Sequence, residues 1–245
     1  GWFNAGSKVT ISATAPTTVA GERYLWYFWI GFGSGSYTGT SNPASNAVTM
    51  NGPIMEYAFW GHQFQLTIKT NGVPSPYSTN VNLGGDNLGH ASDASSFTTW
   101  INAGSSTGSI GVDSTVSDGS GVRYVFTSWS DGSSANSHSS ITMNAPQTLT
   151  ANYKTQYKVT FSQSGIGSDF KGTVVKIDGT SYASNALSSS FWWDKSSTHT
   201  FQFLSPLTGS NSHYVWKSTT GLSTLQTATI TVSGTGAITG NYVRQ

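Results

Sequence analysis

The sequence predicts an all-β chain: tandem immunoglobulin-like β-sandwich modules, the first lacking its opening strands. Three observations predict it. Short segments alternate apolar and polar side chains, separated by the Gly, Asn, Asp and Pro residues that tight turns require. No segment carries a helical period with caps. The same pattern occurs three times along 245 residues.

Residues 121–156 show the unit most clearly. Alternation predicts a strand over Val122–Trp129, a turn at Asp131-Gly132 and a strand over Ser139–Met143. A turn around Asn144–Pro146 and a strand over Thr148–Tyr153 follow. The unit ends read EYAFWGHQFQLTI (56–68), LTANYKTQYKVTF (149–161) and ITGNYVRQ (238–245), which places Gln63, Gln156 and Gln245 in register, 93 and 89 residues apart. The central strands ERYLWYFW (22–29), VRYVFTSW (122–129) and HYVWKSTT (213–220) match as well. So do the middles GWFNAGSKVTI (1–11), TWINAGSSTGSI (99–110) and FWWDKSSTHTF (191–201).

Three modules result: 1–63, 64–156 and 157–245. Modules two and three each open on an alternating strand, with Phe64, Leu66 and Ile68 on one face and Tyr157, Val159 and Phe161 on the other module's equivalent face. Module three continues with a strand over Thr173–Ile177 and a turn at Asp178-Gly179. About seven short strands per unit is the signature of a sandwich.

Module one is incomplete. Trp100 lies 37 residues after Gln63 and Trp192 lies 36 after Gln156, whereas one residue precedes Trp2. An open sandwich leaves unpaired edges and a bare core, which soluble proteins avoid. A partner is therefore expected at the N-terminal end. It is either the upstream part of a longer precursor or strands donated by another copy of the chain.

Large apolar groups concentrate in the same module. Tyr27, Phe28 and Phe59 stand where module two has Thr127, Ser128 and Asn152. Ile30 and Phe32 extend the set, and with Trp2 they are the candidate interface residues. Packing inside module one alone is the competing explanation.

Composition narrows the function classes. Only 9% of residues are charged and the net charge is +1, so no basic patch exists to hold a phosphate backbone. Nucleic acid is excluded as a partner on that ground. Aromatics at 13% argue against disorder. The chain has no cysteine, hence no disulfide, thiolate zinc site or thiol nucleophile. No apolar run is long enough to span a bilayer as a helix. The uncharged polar balance is that of extracellular, cell-surface β-proteins.

Arg123, Tyr124, Phe126, Trp129, Met143, Pro146, Ala151, Tyr153 and Gln156, with their counterparts Arg23, Tyr24, Trp26, Trp29, Met50, Pro53, Ala58, Trp60 and Gln63, form a recognisable pattern. It resembles the divergent internalin-B-type and related immunoglobulin-like repeats of archaeal and bacterial surface proteins. Module three departs from it at His213, Thr219 and residues 234–236. The resemblance implies tandem β-domains of stalks, surface layers, filaments or protease appendages, without shared catalytic residues.

Few groups suggest chemistry. There is no phosphate-binding loop or H-E-x-x-H motif. Asp118, Asp131 and Asp178 each precede a Gly, as turn residues do. The five histidines lack metal-ligand spacing. The stretch from Gly84 to Ser96 reads as a flexible loop, with a calcium site using Asp86 and Asp93 as the alternative. No cofactor is otherwise expected.

Glu56 is out of place, because it aligns with the inward-facing Leu149 and Ile238. A buried carboxylate needs a partner. Lys8 and Arg23 are the candidates, and Lys8 with Glu56 and a nearby Asn is a candidate for an intramolecular amide cross-link. The recurring tryptophans Trp2, Trp29, Trp100, Trp129 and Trp192 read as core filling.

The expected function is non-enzymatic: a subunit of a surface filament or surface layer, joined end to end by strand complementation at module one. The alternative is a carbohydrate-binding or adhesive module, or a stalk on a secreted hydrolase, with glycans as partners.

Overall fold

A computed structural model describes residues 1–209 and 213–245. Its regular structure is β-strand apart from one 3-10 turn at Ser184–Ala186, and no described helix is long and apolar enough to cross a membrane.

Two long strands organise the chain. Met55–Asn71 forms a hairpin with Glu22–Phe32, then pairs with Phe97–Asn102 on one edge and with the start of Gln147–Ser164 on the other. Gln147–Ser164 repeats this one unit later, pairing with Val122–Trp129, Ser189–Asp194 and Gly236–Arg244. The expected boundaries at 63/64 and 156/157 fall inside these strands. Each runs through without a turn, so neighbouring units share backbone hydrogen bonds.

Modules two and three are two-layer sandwiches. In module two, the sheet built on the long strands faces a second sheet ordered Ser137–His138, Ile110–Val112, Thr79–Leu83, Asp86–Ala91. In module three the facing sheet is ordered Thr180–Ala183, Thr173–Ile177, Thr198–Phe203, Thr227–Thr231. Alternation predicts these faces correctly: Phe64, Leu66 and Ile68 are buried, as are Val159 and Phe161. Among the described residues the cores hold sixteen and fourteen buried apolar residues respectively.

Two local expectations are corrected. Residues 139–143 do not form a continuous strand. The Thr107 hydroxyl accepts the Ile141 N–H at 2.9 Å, and pairing with residues 104–107 is reduced to separate backbone bonds around the isolated bridge Ser106↔Thr142. The stretch read as a loop contains the strand Asp86–Ala91, paired with Thr79–Leu83. Asp113 accepts the Asn80 backbone N–H at 2.8 Å, and the Asn80 side chain accepts from Asn87 at 3.1 Å. Those tertiary bonds outweigh the turn-like local composition.

Module two contains a pH-dependent contact. His138 is buried, with ring nitrogens 2.6 Å from Asp131 Oδ2 and 2.6 Å from the Ser139 carbonyl. Burial pulls the His138 pKa down, but bonds to these two acceptors outweigh it and the net shift is upward. The His138 bond and the Ser133 N–H hold Asp131 down at about 2. The His138 contribution is complete below its unfolded pKa of about 6.5 and disappears as pH rises through the raised folded value. The Asp131 contribution is complete above about pH 4 and disappears as pH falls toward 2. Module two should therefore be most stable between about pH 4 and 6.5. Calorimetric melting across pH tests this, and Asp131→Asn should flatten the profile. An unchanged profile in that variant would assign the pH dependence elsewhere.

Candidate functional site

The first strand of module two, through residues 66–71, pairs in parallel with that module's last strand, Leu66 opposite Gln147 and Ile68 opposite Leu149. Module three repeats the pairing, with Val159 opposite Gly236 and Phe161 opposite Ile238. In module one the equivalent last strand, Met55 to Trp60, pairs only with Glu22–Phe32 among the described residues. Its other edge is unpaired.

That edge is competent to bind. Trp29 exchanges both backbone bonds with Gly39, at 2.7 and 3.3 Å, so its groups point away from the partner strand. In an antiparallel ladder Ala58, opposite Trp29, then directs its own N–H and C=O outward. Gly31 likewise donates away, to Thr38 Oγ1 at 3.1 Å, which frees the groups of Glu56 opposite it.

Below the edge lies an open groove of about 630 Å3, lined by Trp2, Ile11, Val48, Met50, Ile54 and Glu56 among others. It is the uncovered side of the module-one core, which holds four buried apolar residues. The polar atoms of this module are also unfinished. Ser7 Oγ, Trp29 Nε1 and Glu56 Oε2 are sealed from solvent without hydrogen-bond partners among the described residues, and all three lie in module one. In module two the equivalent indole, Trp129, donates to the Ala135 carbonyl at 2.9 Å. Buried polar atoms in finished proteins are rarely left this way.

The opposite face of the same hairpin is apolar and exposed. Register places Phe28 against Phe59, Ile30 against Tyr57 and Phe32 against Met55. Phe28 and Phe59 stack at 5.0 Å, and Phe32 meets Tyr57 edge-on at 6.0 Å. Exposures run from 36% at Phe28 to 58% at Phe32, with Tyr27 at 44% beside them, while Ile30 is half-buried. Tyr27 occupies the bulge between Trp26 and Phe28, and its ring lies over Gly61, where a Cβ would collide with it. Comparison with Thr127, Ser128 and Asn152 is enough to find most of this stripe in the sequence. Met55 and Tyr57 were not singled out there, and their alternation with Glu56 is the signal that identifies them.

The joints between modules use one repeated arrangement. Arg23 donates to Gln63 Oε1 at 2.8 Å, Gln63 donates to Asn102 at 2.9 Å, and the Arg23 guanidinium lies 4.3 Å from the Trp100 ring centre. Arg123, Gln156, Asp194 and Trp192 reproduce this, at 2.8, 2.7 and 4.3 Å. Trp100 and Trp192 are thus platforms for an arginine of the preceding module, which corrects the core-filling expectation for them. Trp29 and Trp129 are the core residues.

The N-terminal segment displays one half of such a joint. Ser7 N–H donates to the Asn4 carbonyl at 3.1 Å, as Ser105 does to Asn102 and Ser197 to Asp194, both at 3.0 Å. The turn glycines Gly6 and Gly104 share φ values of 78° and 76°. Trp2 and Asn4 therefore correspond to Trp100 and Asn102, and Trp2 is fully exposed. At the far end His213 stands cross-strand from Gln245, where the other joints place Arg and Gln.

The other expected groups are not brought together. Lys8 is exposed, whereas the alternating half-buried residues Ser7, Val9 and Ile11 face inward. Glu56 Oε1 instead accepts the Tyr37 N–H at 2.8 Å. Arg23 is engaged by Gln63 and Trp100. Asp93 accepts from Thr70, Gly72 and Val73, while Asp86 sits exposed opposite Leu83. No group of three or more metal-ligating side chains occurs among the described residues.

No protein-family model and no curated protein matches the chain. Among solved structures it is similar to the major pilin protein (T-13) from Streptococcus pyogenes serotype GAS131465. The identity is 11%, over 75% of this chain and 97% of that one, with a TM-score of 0.24. So low a TM-score says nothing about function.

Proposed function

We propose that the chain is a non-enzymatic, extracellular structural repeat protein that assembles end to end into a surface filament or surface layer. Module one accepts a β-strand from the preceding unit, which is another copy or a longer precursor. The carrying observation is the unpaired edge from Met55 to Trp60 above an apolar groove, at the place that modules two and three fill with their own first strands. Strand addition supplies backbone bonds to such an edge and side chains to such a groove. The aromatic stripe on the reverse face continues the contact surface.

Electron microscopy and sedimentation test this. The unmodified chain should form end-to-end polymers. The variant Tyr27→Ser, Phe28→Ser, Phe59→Ser should remain monomeric, with the melting of modules two and three unchanged. Absence of polymers from the parent chain would refute the assembly, and normal polymers from the triple variant would confine the contact to the edge and groove.

The exposed stacked pair Phe28–Phe59 favours glycan binding as the second reading, since sugars stack on such faces. In that case Tyr27→Ala should abolish binding on a glycan array. Trp26 is a weaker platform, because it packs against Trp29 and Trp60 at 5.4 and 5.1 Å.

A further inference from the structure

We infer that the strand received by module one carries a lysine or arginine facing Glu56, and that Glu56 selects it against apolar strands. The inference rests on the strand-acceptor reading above and adds the identity of the accepted residue.

Register defines the contact. Glu56 corresponds to Leu149 and Ile238, whose parallel partners are Ile68 and Phe161. A strand arriving in the same register puts its equivalent residue beside Glu56. The Gln63↔Asn102 and Gln156↔Asp194 pairs set that register independently, because Asn4 occupies the matching turn. The Glu56 partner is then the fifth residue after a glutamine facing Asn4.

The chemistry of that residue follows from what Glu56 lacks. Its Oε1 is taken by the Tyr37 N–H, and Oε2 is sealed without a partner. Among the described residues no Lys, Arg or His lines the groove. Oε2 lies over Gly31, and a strand added at the opposite edge closes the remaining side of the Glu56 side chain. An apolar residue there leaves a buried charge uncompensated, whereas a cation pairs with it. Modules two and three place Ile68 and Phe161 at this position. The same carboxylate therefore weakens, without abolishing, capture of the chain's own opening strands by a neighbouring copy, a case of specificity gained by penalising the less suitable partner.

The test uses the full chain and two peptides. One is QFQLTIKTN, the sequence of residues 63–71, and the other is the same peptide with the isoleucine of position 68 replaced by lysine. Fluorescence anisotropy should show the lysine peptide binding at least about tenfold more tightly to the parent chain. Against Glu56→Leu the order should reverse. Equal affinities, or tighter binding of the isoleucine peptide to the parent chain, would overturn the selection by Glu56 while leaving strand acceptance intact. Failure of both peptides to bind both proteins would overturn both.

Discussion

Ala58→Pro should abolish end-to-end association while leaving modules two and three folded. Ala58 lies in the middle of the unpaired edge, and its N–H points away from Glu22–Phe32. Proline there removes a donor that no internal bond uses, so the hairpin persists. Proline is tolerated on sheet edges for this reason and excluded from central strands. An incoming strand meets a missing donor and a bulky ring. An acceptor left unpaired in a closed interface costs about 1–3 kcal/mol, or roughly a 5- to 150-fold loss of affinity before the steric clash is counted. Peptide binding and polymer length should fall together. The variant also separates the two faces of the hairpin, because it leaves Phe28, Phe32 and Phe59 unchanged. Wild-type association by Ala58→Pro would place the contact on the aromatic stripe alone.

Trp129→Ala should have the largest effect on stability. Trp129 is 1% exposed, meets Phe126 and His138 edge-on at 5.7 and 5.8 Å, and donates its indole N–H to Ala135. Removal opens a large cavity and strands a carbonyl, which costs about 3–5 kcal/mol. For a chain of this size the module-two transition should fall by roughly 6–20 °C. The matched change in module one, Trp29→Ala, should cost clearly less. Trp29 packs in a core of four buried residues, and its N–H already lacks an acceptor. Differential scanning calorimetry compares the two directly. Equal losses would mean that module one is as well packed as its neighbour, and the open-groove account would fail.

Both expectations also mark how far the primary structure could be read. Val122–Trp129 and the opening strands of modules two and three were legible because alternation and turn chemistry act over a few residues. Residues 84–96 were misread because Asp113 and Asn80, distant in sequence, pin that hairpin. Trp2, Trp100 and Trp192 were found as a set, but their role was not. An arginine of one module lying on a tryptophan of the next is a contact across 77 and 69 positions, from Arg23 to Trp100 and from Arg123 to Trp192.

By itself the sequence determined the β class, the threefold repeat and the anomaly of Glu56, since each is a matter of local period or matched position. Only the tertiary structure decided that strands run unbroken through the module boundaries and which edge of Met55–Asn71 is left free. It also decided which face of that strand carries Glu56 and which carries the aromatic stripe. Those outcomes depend on backbone pairing such as Leu66 with Gln147, which periodicity within a single segment does not encode.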